Sequence, residues 1–158
     1  MNDLSVSNLM PKNINDKDLS YKEKVAVIVQ TLQKMDQVEC PVKHHFAPGV
    51  YLREIFMPAG TIVIGKIHRT EHFNIVVSGL CSIVHEDGRH EYLRGPMTFV
   101  SKAGVQKLLF IHEDTIWKTV HPTDETSVEV LEQILIEPPP IVMLDEHKKP
   151  LAELENDK

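Results

Sequence analysis

"GKIHRTEHFNIVVSG", residues 65–79, combines a pair of histidines with a run of β-branched residues. The β-branched run favours an extended strand over a helix. His68 and His72 stand four residues apart, and an even spacing places two side chains on the same face of an uninterrupted strand. The residues predicted to share that face are Lys66, His68, Thr70, His72 and Asn74. A face this polar either meets water or lines a cavity.

Short apolar segments separated by turns continue on both sides of this stretch, from residue 42 to about residue 121. One of them, VYLREIFM, precedes the turn Pro58-Ala59-Gly60, and another, DTIWKTVH, ends the series. The segment CSIVHEDGRHEYL predicts a hairpin with Asp87-Gly88 as a two-residue type I′ loop, across which His85 pairs with His90. Many short strands with no helix between them indicate a mainly β protein, an antiparallel sandwich or small barrel.

A helix is predicted before the strands, over residues 20–37. Ser20 followed three residues later by Glu23 is a capping box. An apolar stripe at heptad-like spacing follows, made of Tyr21, Val25, Ile28, Leu32 and Met35. The stripe has two interpretations. The helix docks on the core of its own domain, or it forms a short coiled-coil seam between subunits of a dimer or trimer.

The two ends of the chain differ from the centre. Residues 1–19 are polar and predict a flexible arm. Near the other end, Val128, Leu131 and Ile134 recur at helical spacing and predict a short helix. We therefore divide the chain into an arm at 1–19, a helix at 20–37, a β-barrel with its C-terminal helix at 42–136, and a Pro-containing tail at 137–158.

Length and composition limit the classes of function. The 158 residues suit one domain with a real core. The net charge of -6 argues against a broad grip on nucleic acid. There is no apolar run of the roughly 20 residues that a membrane helix needs, and no signal peptide is evident. Two distant cysteines predict free thiols rather than a disulfide framework. We expect a cytoplasmic protein that binds neither nucleic acid nor membrane.

The histidine pair also predicts chemistry, because the mouths of small barrels are common ligand sites. Neutral imidazoles that converge there can bind Zn, Ni, Mn or Fe. His121 is a candidate third imidazole, on one strand face with Trp117 and Thr119. The alternative is a set of histidines satisfied by hydrogen bonds without a metal. Of the adjacent pair His44 and His45, at most one faces any site.

The segment from Gly60 to Gly79 resembles the first sequence motif of the cupin family, a small jelly-roll barrel. In that motif a glycine is followed by His-any-His, a glutamate and a closing glycine. His68 matches the second histidine and Gly79 the closing glycine. Lys66 stands at the position of the first histidine, and His72 at that of the glutamate. The resemblance implies a cupin-like antiparallel jelly roll with an N-terminal helix and a short C-terminal helix.

A second cupin motif is matched loosely by Gly95 and Gly104, with Ser101 in place of its proline. Lys107 stands where the last metal-binding histidine of the family belongs. A protonated lysine has no lone pair for a metal, so both lysines break the ligand set. What the resemblance implies instead is a positive pocket suited to a carboxylate or phosphate, formed by Lys66, His68, His72 and Lys107. The candidate metal ligands are His68, His72 and His121.

A closer resemblance covers residues 38–132. The segments CPVKHHFAPGVYLREIFMPAGTIVIGKIHRTEHFNIV and HEDTIWKTVHPTDET are similar to small cupin-like proteins encoded by tailed phages and prophages. That group is uncharacterised, so the resemblance implies a phage source and no reaction. It implies a place in the host cytoplasm or in the virion, with phage structural or host proteins as partners.

Three classes of function follow. We favour a non-enzymatic, phage-type module that forms an oligomer and binds a partner or a small ligand. The first alternative is a metal-dependent cupin enzyme, of isomerase or dioxygenase type, that uses His68 and His72. The second is a protein that sequesters a small anionic metabolite.

Overall fold

The computed structural model describes residues 9–12, 16–85 and 87–138. In these residues a helix precedes seven strands and a second helix follows them. The elements are α1 (Tyr21–Gln33), β1 (Val42–Ala47), β2 (Val50–Met57), β3 (Ile62–Ile64), β4 (His72–Val84), β5 (His90–Arg94), β6 (Met97–Ser101), β7 (Leu108–Pro122) and α2 (Val128–Leu135). Much of the predicted arm and almost all of the predicted tail lie outside the described residues.

All strand pairs are antiparallel, and β7 lies at the centre of the sheet. The strand order is β1-β2-β7-β4-β5, with β3 also paired to β7 and β6 also paired to β4. The prediction of a mainly β antiparallel fold with one helix on each side is therefore confirmed. No helix of the described residues is long and apolar enough to cross a membrane.

The core lies between the inner faces of these strands and follows the expected period of two. Along β7, Ile111, Thr115, Trp117, Thr119 and His121 are buried, and the residues between the last four are more exposed. The main apolar cluster consists of Met57, Val76, Cys81, Ile83, Leu93, Leu109, Ile111 and Trp117. Burial raises the pKa of the Cys81 thiol to about 11, so this cysteine is an apolar packing residue.

Helix α1 begins as predicted and ends earlier than predicted. The Ser20 hydroxyl accepts a hydrogen bond from the Glu23 backbone N–H, and the Glu23 carboxylate accepts one from the Ser20 N–H. The helix ends at Gln33 rather than at residue 37. Ile28 is buried against Leu108 of β7, with most of the apolar stripe beside it. The stripe thus packs on the chain's own barrel, as the first interpretation predicted.

Two local predictions are wrong. The hairpin between β4 and β5 has a longer loop than two residues, because Val84 pairs with His90 and the His85 N–H bonds to the Arg89 carbonyl. Strand β7 runs without a break from Leu108 through the segment DTIWKTVH, which was predicted to be a separate short strand. The short helix predicted from Val128, Leu131 and Ile134 is found as α2, in which Leu131 and Leu135 are the buried residues.

Gly79 marks a point where β4 and β7 approach too closely for a side chain. Its φ is +99°, and a Cβ there would overlap the Asp114 carbonyl oxygen and the Thr115 hydroxyl. The pairing of β4 with β7 is irregular at this point, with register shifts between Val76 and Cys81. Gly79 therefore allows β4 to continue as one strand past the irregularity.

We predict that Gly79→Ala lowers the free energy of unfolding by about 3 kcal/mol or more, through backbone strain together with overlap. Gly88→Ala is the matched control, since its φ is +83° but no atom lies near the new Cβ. We expect it to cost only about 1–2 kcal/mol. Urea denaturation of both variants measures the difference, and equal losses would contradict the overlap.

Candidate functional site

The inner faces of the barrel enclose a cavity of about 210 Å³. All four predicted pocket residues, Lys66, His68, His72 and Lys107, line it, and so does His121. The other lining residues are His44, Tyr51, Arg53, Ile55, Met57, Val63, Ile64, Gly65, Asn74, Leu109, Trp117, Thr119, Val128, Leu131, Glu132, Leu135 and Ile136.

His68 and His72 meet in this cavity, but not for the predicted reason. His72 is the first residue of β4, whereas His68 lies before the strand in an isolated bridge with Ile136. The Gly104 N–H donates to the His68 carbonyl, so the loop before β7 also holds this segment. No single strand joins the two histidines, and the parity argument does not apply. The chain following α2 places His68 instead.

His121 completes a cluster of three imidazoles. It lies on β7 opposite Tyr51 of β2. The ring centres are 4.1 Å apart for His68 and His72, 5.4 Å for His68 and His121, and 5.0 Å for His72 and His121. The three predicted imidazoles are therefore in mutual contact.

Hydrogen bonds fix part of this cluster and leave two nitrogens without a partner. The Nδ1 of His72 lies 3.0 Å from the Thr70 carbonyl, which only accepts, so Nδ1 carries the proton. The neutral ring then presents its Nε2 lone pair, and this buried atom has no partner among the described residues. The Nε2 of His121 bonds to the Thr119 hydroxyl, and its buried Nδ1 is likewise unpartnered.

Burial keeps these imidazoles neutral. Desolvation, with the charges of His72, His121 and Lys107 acting in the same direction, lowers the pKa of His68 to about 3. Desolvation, helped by His72 and Arg53, lowers the pKa of His121 to about 4. The pKa of His72 is also lowered, chiefly by burial. At neutral pH the cluster therefore offers lone pairs and N–H donors without charge.

Lys107 supplies the positive charge. Burial lowers its pKa to about 8, so most of it is protonated at pH 7. The backbone holds it in place, because the Gly65 N–H donates to the Lys107 carbonyl at 2.8 Å. Lys107 makes no ion pair within the described part of the chain. Glu132, a carboxylate of the cavity wall, is bound by Lys66 Nζ at 2.7 Å instead.

Further along β4 and β7 from the histidines, the cavity wall is apolar and fixed. Trp117 donates its indole N–H to the Asn74 side-chain carbonyl at 3.0 Å, and the Asn74 amide donates to the Ser101 hydroxyl at 2.7 Å. This buried network is internally satisfied and leaves the aromatic ring beside Met57 and Leu109 in the wall. A ligand would meet both polar groups and an apolar surface in this cavity.

Tyr51 and Arg53 were missed as site residues by the sequence analysis. Both point inward from β2, in the period of two that the VYLREIFM pattern predicts. The alternation along β2 could have indicated that Tyr51 and Arg53 share its inner face. Nothing in the sequence indicated that β2 pairs with the strand that carries His121. Of the pair His44 and His45, the first lines the cavity, and its Nδ1 lies 2.6 Å from the Tyr51 hydroxyl.

The cluster fits a metal by its chemistry and not by its ring orientation. Three neutral imidazoles, two of which have an unpartnered nitrogen, are a suitable donor set for a transition metal. The rings of His68 and His121 are stacked at 13°, however, and the other two pairs are tilted by only 30° and 37°. Among the described residues, no group of three or more His, Cys, Asp or Glu side chains is arranged to hold a metal ion.

The lowered pKa values predict sensitivity to acid. A histidine that is neutral in the folded protein and titrates near pH 6.5 when unfolded makes its full contribution to the free energy of unfolding above pH 6.5. That contribution is lost as the pH falls towards the folded pKa. We expect the free energy of unfolding to fall as pH drops from about 6.5 towards about 4, the folded pKa of His121.

We predict that His121→Gln makes this fall shallower, because one such histidine is removed. His45→Gln, on the exposed strand β1, is the control and should leave the slope unchanged. Urea denaturation at about pH 7.5 and about pH 5 gives the slope of each protein. An unchanged slope in His121→Gln would contradict the assigned burial.

Known structures share this fold at low sequence identity. An ectoine synthase from P. lautus matches with a TM-score of 0.51 and 15% identity over 68% of this chain and 82% of that chain. A cupin domain from Bordetella pertussis Tohama I matches with a TM-score of 0.45 and 12% identity over 56% of this chain and 98% of that chain. A cupin-2 domain protein from Shewanella frigidimarina matches with a TM-score of 0.43 and 15% identity over 63% of this chain and 98% of that chain.

Neither a family model nor a curated protein matches the chain. At these identities the structural matches show the fold alone. The predicted jelly roll is confirmed at that level: the chain has a mainly antiparallel, cupin-like jelly-roll fold.

Proposed function

We propose that the chain is a binding module whose cavity takes a small carboxylate that also carries a hydrogen-bond donor, such as a hydroxy acid. The observation that carries the proposal is the pairing of the partly buried Lys107 ammonium, which makes no ion pair among the described residues, with the unpartnered Nε2 of His72 in one cavity. The Lys107 ammonium favours an anion, and the Nε2 lone pair of His72 favours a hydrogen-bond donor.

The charge of the cavity supports an anionic ligand. Lys107 and Arg53 line it, and the Glu132 carboxylate is neutralised by Lys66. A buried charge without a partner is costly, and a bound carboxylate would supply one with charge-assisted hydrogen bonds. The neutral imidazoles add no opposing charge.

The tautomer of His72 supports a donor group on the ligand. Its Nδ1 proton is used by the Thr70 carbonyl, so Nε2 can only accept while the ring is neutral. A carboxylate oxygen placed there would face a lone pair. A hydroxyl on the ligand removes this conflict by donating to Nε2. The volume of about 210 Å³ is smaller than a drug-sized site and suits a small metabolite.

Titration of the full chain with 2-hydroxy acids and with the matched acids that lack the hydroxyl tests the proposal. Trp117 is the only tryptophan and lies in the cavity wall, so its fluorescence reports on occupancy. We expect Lys107→Gln to weaken binding about tenfold or more. Lys102→Gln, which removes an exposed lysine paired with Glu71, is the control and should bind like wild type.

His72→Phe should lower the preference for the hydroxy acid over its matched acid by about three- to tenfold, the contribution of one hydrogen bond. Affinity should also decline as the pH rises above about 8, where free Lys107 loses its proton. Absence of binding to every acid, or binding that Lys107→Gln leaves unchanged, would contradict the proposal.

A second candidate is a metal site, favoured by the two unpartnered imidazole nitrogens. Side-chain rotation would let His68, His72 and His121 hold Zn, Ni, Mn or Fe, which would supply a Lewis acid or a redox centre. We expect His72→Ala to lower the metal content by about tenfold or more, and His45→Ala to leave it unchanged. Elemental analysis of the purified proteins measures this. Metal-free wild type after incubation with each ion would contradict it.

A further inference from the structure

Arg53 is a second cation in the cavity besides Lys107, and it is half-buried. It lies on β2 opposite Thr119 of β7, and Thr119 lies opposite Asn74 of β4. All three side chains line the cavity, so they form one row across its wall. The side chains of Thr119 and Asn74 are hydrogen-bonded to other residues. Within the described ranges, the Arg53 guanidinium itself forms neither a hydrogen bond nor an ion pair.

Two carboxylates lie close to Arg53, one in the sequence and one in the cavity, and both have other partners. Glu54 is turned to the outer face of β2, where it lies 3.3 Å from the Lys118 ammonium. Glu132 lines the cavity, but its two oxygens lie 2.7 and 3.0 Å from Lys66 Nζ. Arg53 therefore brings a charge into the cavity that neither of these carboxylates neutralises.

The two cations lie beside different members of the imidazole cluster. Burial is the largest cause of the lowered pKa values of these three histidines, and nearby cations add to it. Lys107 acts in this way on His68 and His72. Arg53 acts on His121. The ring centre of His121 is 5.4 Å from that of His68 and 5.0 Å from that of His72, so a ligand that contacts both cations spans part of the cluster.

We propose that Arg53 forms a second anion subsite and that the ligand of the cavity is a 2-hydroxy dicarboxylate. This inference rests on the proposed function. One carboxylate contacts Lys107, the hydroxyl donates to His72 Nε2, and the second carboxylate contacts Arg53.

The balance of charge favours two carboxylates over one. A monocarboxylate leaves one of the two cations without a counter-charge, and a partly buried charge without a partner is unfavourable. The planar guanidinium of Arg53 also matches a carboxylate through two parallel hydrogen bonds, a geometry that an ammonium does not offer.

The dimensions favour a short dicarboxylate. An extended chain of four or five carbons places its two terminal carbon atoms about 4–5 Å apart. This length is close to the distances of 5.0 and 5.4 Å from the His121 ring centre to those of His72 and His68. A molecule of this size also suits a cavity of about 210 Å³.

Calorimetric titration of the full chain with matched pairs of acids tests the inference. Malate is compared with 2-hydroxybutanoate, and 2-hydroxyglutarate with 2-hydroxypentanoate. In each pair a methyl group replaces the second carboxylate. We expect wild type to bind at least one dicarboxylate about tenfold or more tightly than its matched monocarboxylate, because of the charge-assisted contact with Arg53.

Arg53→Gln should remove this preference and leave the affinity for the monocarboxylate within about twofold of wild type. Lys107→Gln should instead weaken both members of a pair. Arg89→Gln is the matched control, because it removes an exposed arginine in the loop between β4 and β5. It should keep the wild-type preference.

Arg53→Lys is a second variant, in case Arg53→Gln does not fold. It keeps the charge and loses the fork of two hydrogen bonds, so it should retain only part of the preference. Equal weakening of both members of a pair by a folded Arg53 variant would indicate a structural role and would overturn the inference. A wild type that binds both members of each pair equally would also overturn it, while the proposed function would stand. Absence of binding to all four acids would contradict the proposed function and this inference together.

Discussion

The backbone pairing of β7 with its neighbours is the constraint on which both surfaces of this barrel depend. β7 bonds to β2 and β4 along most of its length and to β3 near its start. Because side chains alternate, this register turns Trp117 and His121 into the cavity and Ile116 and Val120 outward. A slip of one residue would exchange the two sets. One hydrogen-bond ladder therefore positions the imidazole cluster and these outward residues together.

Burial acts on the site in opposite ways for different groups. It lowers the pKa values of His68, His72 and His121, to about 3 for His68, and keeps these three imidazoles neutral at pH 7. It lowers the pKa of Lys107 only to about 8, and this side chain stays mostly charged. The difference arises because an ordinary lysine titrates about four units above an ordinary histidine. A similar loss of water thus produces a cation beside neutral acceptors.

Local features of the fold could be predicted from sequence, and features set by distant contacts could not. The capping box at Ser20 and strand VYLREIFM depend on neighbouring residues, and both are found as predicted. The acidic segment after His112 did not indicate that β7 continues through it. The strand can include Glu113 because this carboxylate forms an ion pair with Arg94, a residue on another strand. The His68 position depends in the same way on Ile136. Five of the cavity side chains were predicted as site residues, whereas Arg53 required knowledge of which strands pair with each other.

The part of the sheet that surrounds the histidines has its polarity inverted. In an ordinary antiparallel sheet the inner face is apolar and the outer face polar. Here His72 and His121 face inward, and Phe73 and Val120 face outward from the same strands. An inner polar face leaves buried nitrogens unsatisfied, and an outer apolar face leaves hydrocarbon in water, so each is unfavourable for an isolated chain. The proposed ligand in the cavity would offset the first of these costs.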